Sequence, residues 1–177
     1  MYAYRRATPQ ELEALWNRNI AKNPGDSRWI GWKQEYLAYN QTGQGVTFAV
    51  VHNGTPVGEG TLLFSPQCRA INGRMQLADC CHTANINALR IRKRYEGRGH
   101  ISALFHCMER YAASLGYTRL TIGVAAQETR NLAIYLHWGF EEFVLAQEEE
   151  GELILYYAKE LDSDIRSQTL DTRRGNR

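Results

Sequence analysis

The sequence predicts a mixed α/β domain whose central sheet is mostly antiparallel. An Asn-Gly pair at positions 53–54 separates two stretches of β-branched and apolar residues, 46–52 and 56–64, which is typical of a tight hairpin. Farther along, two segments have apolar residues at helical spacing, and each ends at a glycine. Strand patterns flank the first of these helices, so residues 86–124 are predicted to form one parallel, right-handed strand–helix–strand crossover.

The N-terminal part of the chain contains a predicted strand, residues 2–6, and two predicted helices. Thr8 can cap the first helix, Pro9 suits its first position, and Glu11 can reach back to complete a capping box. The apolar stripe of this helix consists of Leu12, Leu15, Trp16 and Ile20. The second predicted helix carries Trp29, Ile30, Trp32, Tyr36, Leu37 and Tyr39.

The rest of the chain is predicted to alternate strands and helices. We expect strands over 75–79 and 86–91, followed by a helix over 101–115 that ends at Gly116. A strand over 120–124 and a helix through Leu132, Tyr135 and Leu136 come next, and this helix ends at Gly139. A final hairpin is predicted from strands 143–145 and 153–157, with its turn around residues 148–151. We expect a single domain over residues 1–161 and a flexible polar tail over 162–177.

Composition excludes several functional classes. A net charge of +2 is too small for a nucleic-acid-binding surface, and no apolar run approaches a membrane span. Because the N-terminus lacks an apolar signal segment, we expect a cytoplasmic protein whose four cysteines stay thiols. Cys80-Cys81-His82 resembles half of a metal site, but no second ligand pair follows at a suitable spacing, so no metal is predicted.

A glycine-rich, basic loop is the main functional signal. Residues 92–102 join a predicted strand to the start of the long helix and contain Gly97, Arg98 and Gly99. Free N–H groups at a helix start attract anions, and glycine lets a phosphate approach the backbone. The third glycine of the dinucleotide-binding pattern and the Gly-Lys-Ser/Thr of the nucleoside-triphosphate loop are absent. A phosphate or pyrophosphate is therefore the predicted ligand.

Segment 86–140 resembles the acetyl-CoA motif of the GNAT family of N-acetyltransferases. Leu-Arg-Ile at 89–91 is similar to the family's strand, and 96–101 to its loop Arg/Gln-x-x-Gly-x-Gly/Ala. Residues 120–124 resemble the following strand, and 128–140 the second cofactor motif. The resemblance is detailed over this segment and looser elsewhere, where only the order of elements agrees.

This resemblance implies a GNAT-like acyl-CoA N-acyltransferase fold, acetyl-CoA as cosubstrate, and direct acetyl transfer to a primary amine of a small molecule or protein. A homodimer would also be in keeping with the family. The implied cofactor-binding residues are Leu89, Arg90, Ile91, Gly97, Arg98, Gly99, His100, Ile101, Ser102, Asn131 and Tyr135.

The chain departs from the family pattern at several positions. Glu96 stands where the family has Arg or Gln, and Ile101 where it has Gly or Ala. A register that starts at Arg94 restores these residue types, but the helix that follows then no longer matches the length typical of the family. The first register is therefore preferred. Glu128 replaces a common Asn, and Asn131, one turn later, is the expected substitute.

The resemblance implies that Tyr135 protonates the leaving CoA thiolate. The acceptor ammonium, with a pKa of ~10.4, must also lose a proton, so a general base is expected. Glu59 is the first candidate, followed by Asp79 and His82, because Asn85 occupies the family's usual carboxylate position. Packing and surface roles for Tyr135 and these candidates remain the structural alternatives.

The acceptor pocket is expected near the early helices and the final hairpin. Trp29, Trp32, Tyr36 and Tyr39 can face a cationic amine, although at least two of them are expected in the core. The acidic residues at 148–150 are expected to form a solvated turn, with attraction of a polyamine as the alternative. A non-catalytic acyl-CoA-binding module and a nucleotide-binding regulatory domain remain competing hypotheses.

Overall fold

The computed structural model describes residues 1–162. The predicted tail, except for Asp162, therefore lies outside the described residues. The strands are β1 (Tyr2–Arg6), β2 (Gly45–His52), β3 (Thr55–Leu63), β4 (Thr83–Ile91), β5 (Arg119–Ala125), β6 (Glu142–Glu149) and β7 (Glu152–Glu160). The helices are α1 (Pro9–Lys22), α2 (Arg28–Thr42), α3 (His100–Ser114) and α4 (Thr129–His137), with a short 3-10 turn at Lys93–Tyr95.

The strands form a sheet in the order β1-β2-β3-β4-β5-β7-β6. β4 and β5 are parallel, whereas the pairs β1–β2, β2–β3, β5–β7 and β6–β7 are antiparallel. The predicted fold class, a mixed sheet with one parallel pair and flanking helices, is therefore confirmed. By its internal contacts the described part of the chain divides into two compact units, the first formed by residues 1–63 and 88–108 and the second by residues 64–87 and 109–162.

Local signals account for the start of the first unit. Thr8 accepts a hydrogen bond from the Glu11 N–H at 3.2 Å, and the Glu11 carboxylate accepts from the Thr8 N–H at 2.9 Å, which is the predicted capping box. In the β2–β3 hairpin, Asn53 and Gly54 have φ values of 48° and 77°. This left-handed pair is what a two-residue turn between twisted strands requires.

Close packing fixes the second half of the first unit. An added Cβ on Gly60 would lie 2.7 Å from Leu89 Cδ1 and 2.8 Å from Met108 Sδ. Gly60 therefore lets α3 pack directly on β3 and β4, since a larger residue would push the helix outward. This contact sets the position of the loop that joins β4 to α3.

The second unit is organised around β5. Asn85 donates a hydrogen bond to the Thr121 hydroxyl at 2.9 Å, and that hydroxyl donates to the Leu77 carbonyl at 2.7 Å. The β6–β7 hairpin turns at Glu150 and Gly151, whose φ values are 53° and 85°. The final hairpin is confirmed, with longer strands than predicted.

The predicted strand over 75–79 is wrong, since these residues lie in turns and β4 begins at Thr83. The cause is the side chain of Asp79, whose Oδ1 accepts hydrogen bonds from the N–H groups of Cys81, His82 and Thr83 at 2.7–2.9 Å. A side chain that caps three backbone donors closes a turn and competes with strand pairing. Leu77 and Ala78 are nevertheless fully buried, which explains their apolar character.

Candidate active site

The loop that enters α3 has the backbone geometry expected of an anion site. Gly97 and Gly99 have φ values of 69° and 78°, and a Cβ on either would meet no atom within 4 Å. Both glycines are exposed, as are Glu96 and Arg98. Because α3 begins at His100, its first N–H groups have no carbonyl partner within the helix and are available to a ligand.

His100 is turned away from the loop surface. Its ring is buried, lies 4.2 Å from the ring of Tyr2 by centroid, and places Nδ1 2.8 Å from the Tyr4 hydroxyl. Burial, assisted by the charges of Arg98 and His52, lowers the pKa of His100. Only the backbone of His100 therefore fits the predicted cofactor-binding role.

A polar cavity of about 490 Å³ lies beside this loop in the first unit. Its lining consists of Tyr2, His52, Asn53, Thr55, Arg94, Tyr95 and Arg98. Tyr2 and His52 are stacked at 4.4 Å, so the cavity combines ring surfaces with two arginines. The sequence alone did not indicate this cavity, because β1, β2 and the loop contribute to it from distant positions.

The end of β4 departs from regular strand geometry. Its ladder with β5 comprises four pairs and ends at Ile86, and Ala88 then has a φ of 53°. A non-glycine residue in the left-handed region is a local irregularity that must be held by its surroundings. Arg92 anchors the strand end by donating its N–H to the Val57 carbonyl at 2.9 Å. The predicted segment 89–91 lies between these two points.

Glu59, the first candidate base, is almost completely buried on β3, with 1% exposure. Asn19 of α1 donates a hydrogen bond to its Oε1 at 2.6 Å, and Arg90 Nε lies 3.9 Å from the same oxygen. Its Oε2 is buried and has no hydrogen-bond partner within residues 1–162. Burial raises the pKa of Glu59, while Arg90, Asn19 and Arg18 oppose the increase.

The guanidinium of Arg90 contacts two indoles. Its Cζ lies 5.1 Å from the Trp16 ring centroid and 5.0 Å from that of Trp29. Trp16 was expected only in the helical core stripe, and no signal in the sequence indicated its contact with β4. Of the aromatics proposed for an acceptor pocket, Tyr36 and Tyr39 are buried, as expected of core residues.

Two further arginines lie beside this cluster. Arg18 Nη1 and Arg92 Nη2 both donate to the Pro56 carbonyl, at 2.8 and 3.1 Å. Burial and, next, the charge of Arg92 lower the pKa of Arg18. The sequence did not predict Arg18 or Arg92 as site residues, nor the buried polar atoms near them that lack hydrogen-bond partners. Their proximity depends on how α1, β3 and β4 pack.

In the second unit, α4 carries Tyr135 and Asn131. Burial raises the pKa of Tyr135 to about 12, with a smaller contribution from the Glu128 carboxylate. Asn131 donates a hydrogen bond to that carboxylate. Leu136, predicted on the apolar face of this helix, is 42% exposed, so the α4 face is less buried than expected.

The other candidate bases are poorly suited to the task. Three backbone N–H groups already bond to Asp79, and although burial opposes them, they lower the pKa of Asp79. His82 is exposed, and Asn85 is occupied by Thr121. Within residues 1–162, no group of three or more His, Cys, Asp and Glu side chains is arranged to hold a metal ion. The helices of this same part of the chain include none that could cross a membrane.

The chain belongs to the acetyltransferase (GNAT) family, whose sequence model matches residues 10–140. The resemblance seen at the glycine loop is thereby confirmed for most of the chain. A search of the curated proteins found none that matches this chain.

Solved structures of acetyltransferases share the fold. An IAA acetyltransferase from Bacillus cereus is 18% identical, with 91% of this chain and 100% of that one covered and a TM-score of 0.62. An acetyltransferase from Salmonella typhimurium that modifies the N-terminal serine of ribosomal protein L7/L12 is 16% identical, with 91% and 95% covered and a TM-score of 0.66. PaiA N-acetyltransferase from Thermoplasma acidophilum, in complex with coenzyme A, is 14% identical, with 90% and 99% covered and a TM-score of 0.60.

Proposed function

We propose that this protein transfers the acetyl group of acetyl-CoA directly to a primary amine of a small molecule or protein. Family membership supports acyl-CoA-dependent N-acyl transfer, and the structurally similar PaiA enzyme is a coenzyme A complex. The observation that carries the proposal is the exposed loop at the start of α3, where Gly97 and Gly99 adopt left-handed conformations. Those conformations leave helix N–H groups open to the pyrophosphate of the cosubstrate.

The chain offers a consistent set of contacts for acetyl-CoA. The N–H groups at the start of α3, including those of Ile101 and Ser102, suit the pyrophosphate. The β4 segment 89–91 suits the pantetheine arm, since it lies beyond the four-pair ladder with β5 and retains backbone groups for an added strand. An N–H at this segment would polarise the thioester carbonyl as an oxyanion donor. Glu96 and Arg98 are exposed and of opposite charge, which offsets the unusual carboxylate at position 96.

Glu59 is the proposed general base. Its raised pKa makes it a stronger proton acceptor than an ordinary carboxylate, and its unpaired Oε2 can accept an N–H from the acceptor. The ammonium first loses one proton to water, which gives the neutral amine. The amine nitrogen then bonds to the acetyl carbon, the carbon–sulfur bond breaks, CoA leaves as the thiolate, and the nitrogen loses its second proton to Glu59. The bond to Asn19 holds the carboxylate in place while this proton moves.

Tyr135 is proposed to stabilise the leaving sulfur. Its pKa of about 12 keeps the hydroxyl protonated throughout the physiological range. A thiol has a pKa of ~8.5, so a phenol at 12 is the weaker acid and complete proton transfer to the thiolate is unfavourable. We therefore expect the Tyr135 hydroxyl to donate a hydrogen bond to the sulfur as negative charge develops there.

Calorimetry with acetyl-CoA and thiol release across a panel of amines test the proposal. We expect acetyl-CoA binding and amine-dependent thiol release. Tight binding without release for any amine would favour a non-catalytic acyl-CoA-binding module. Failure to bind acetyl-CoA, together with binding of a nucleotide, would favour the regulatory hypothesis.

A further inference from the structure

The cluster around Glu59 contains more positive than negative charge. Among the described residues, Glu59 is the carboxylate that contacts Asn19 and Arg90, whereas Arg18, Arg90 and Arg92 supply three guanidinium groups. Arg18 and Arg92 share one carbonyl acceptor, and the Glu59 carboxylate, which also faces Arg90, offsets only part of the positive charge of the three guanidinium groups. The net charge of this partly buried cluster is therefore positive.

Several buried donors in the same cluster have no acceptor. Arg90 Nη1, Arg92 Nε and Trp16 Nε1 are inaccessible to water and make no hydrogen bond within the described part of the chain. A buried polar group without a partner costs about 1–3 kcal/mol, and more when it is charged. Three such donors close to β4, together with a positive field, call for an anionic acceptor.

The aromatic surfaces that would suit a cationic substrate are already occupied. Trp16 and Trp29 both face the guanidinium of Arg90, at 5.1 and 5.0 Å. A polyamine or aminoglycoside would have to displace this internal cation and would also be repelled by it. The guanidinium that contacts both rings is itself a planar fork of N–H donors, which suits bidentate binding of a carboxylate.

We propose that the acceptor substrate is an amine that also carries a carboxylate. It binds through Arg90, whose side chain is 32% exposed and gives the carboxylate a route to the buried donors of Arg92 and Trp16. This inference rests on the proposed function, because it assigns the substrate class of that same acceptor site. The unpaired Oε2 of Glu59 receives the amine proton, and the unpaired donors receive the carboxylate. One ligand thereby provides partners for the unpaired carboxylate oxygen and for the unpaired N–H donors.

Matched pairs of amines test the substrate class. Thiol release is measured for α-amino acids with aliphatic and aromatic side chains, for the carboxamide of each, and for spermidine. The carboxamide keeps the size and the amine but removes the negative charge. We expect kcat/KM for at least one acid to exceed that of its carboxamide by about 10-fold or more, as for other charged hydrogen-bond pairs.

A variant series assigns the preference to Arg90. Arg90→Gln should reduce the acid-to-amide ratio to near one, and Arg28→Gln, at an exposed arginine of α2, should leave it unchanged. Because Arg90→Gln removes the cation nearest to the buried Glu59, circular dichroism and the acetyl-CoA affinity of each variant are measured alongside. Arg90→Lys serves as a second variant that keeps the charge but loses the planar fork.

The outcomes separate the two proposals. If no amine of any class supports thiol release, the proposed function fails. If carboxamides or spermidine react as fast as the acids, or if the ratio is the same in well-folded Arg90 variants, acetyl transfer stands and the carboxylate inference is overturned. Quenching of tryptophan fluorescence by the preferred acid, lost in Arg90→Gln, would support the binding mode independently of turnover.

Discussion

Arg90 Nε lies 3.9 Å from Glu59 Oε1, farther than the amide of Asn19, which donates to the same oxygen at 2.6 Å. The closest partner of this buried carboxylate is therefore a neutral amide, and the nearby guanidinium of Arg90 is also in contact with two indoles. Desolvation consequently outweighs charge pairing, and the pKa of Glu59 is raised. A carboxylate in this environment is a stronger proton acceptor than an ordinary exposed carboxylate.

Replacing Glu59 by Gln should lower kcat/KM for the amine by about 10²–10⁴-fold, as expected when a general base is lost. In the wild type, kcat/KM should rise with pH through the raised pKa of Glu59, since only the ionised form accepts a proton. Glu13→Gln, at an exposed carboxylate of α1, is the matched control. A wild-type rate in Glu59→Gln would exclude the base role.

The same substitution should change the pH dependence of stability. A carboxyl group with a higher pKa in the folded chain binds more protons there, so folding stability falls as pH rises from the unfolded-state value of ~4.3 through the folded-state pKa. The neutral amide of Glu59→Gln resembles the protonated carboxyl group, so the stability of the variant relative to wild type should increase as pH rises above ~4.3, for example from pH 5 to pH 8. Urea denaturation at both pH values measures the difference, and a gain that does not grow with pH would contradict the pKa shift.

Removing the Tyr135 hydroxyl should affect turnover more than binding. We expect Tyr135→Phe to lower kcat by about 10²-fold, because a hydrogen bond to the developing thiolate is lost. The affinity for acetyl-CoA, measured by calorimetry, should stay within about twofold. Since the pKa is about 12, the wild-type rate should show no Tyr135 titration below pH 10. An equal loss of affinity would indicate a packing role instead.

Two glycines with similar left-handed backbone conformations allow an effect on cofactor binding to be distinguished from an effect on folding. Gly99 and Gly25 have φ values of 78° and 88°, and a Cβ on either meets nothing within 4 Å. Alanine at each position should cost about 1 kcal/mol of stability, because the left-handed conformation is unfavourable for it. Only Gly99→Ala should weaken acetyl-CoA binding. Equal affinity in both variants would mean that the loop does not contact the cosubstrate.

The predictable parts of the fold depend on short-range signals. Thr8 and Glu11 specify a helix start from within one turn, and Asn53-Gly54 specifies a hairpin because both residues accept positive φ. The glycine loop was predicted for the same reason. The strand assigned to 75–79 was wrong because the contacts of the Asp79 side chain outweigh local β propensity.

The charged cluster lay beyond sequence reasoning. Glu59 was selected for its chemical type, but β3 is buried along both faces, so alternation did not reveal its environment. The contact of Arg90 with Trp16 and Trp29 joins β4 to α1 and α2 across more than sixty residues of sequence. Such contacts follow from tertiary packing, and no local pattern specifies them.

The contact of Arg90 with two indoles also bears on inhibitor design. A flat cationic compound aimed at those indoles would compete with a guanidinium that is tethered to the same chain, and hence present at a high effective concentration. Compounds that leave Arg90 in place and add a small acidic head group avoid that competition. In such a design the indoles position the Arg90 guanidinium, and the inhibitor binds the guanidinium through its acidic group.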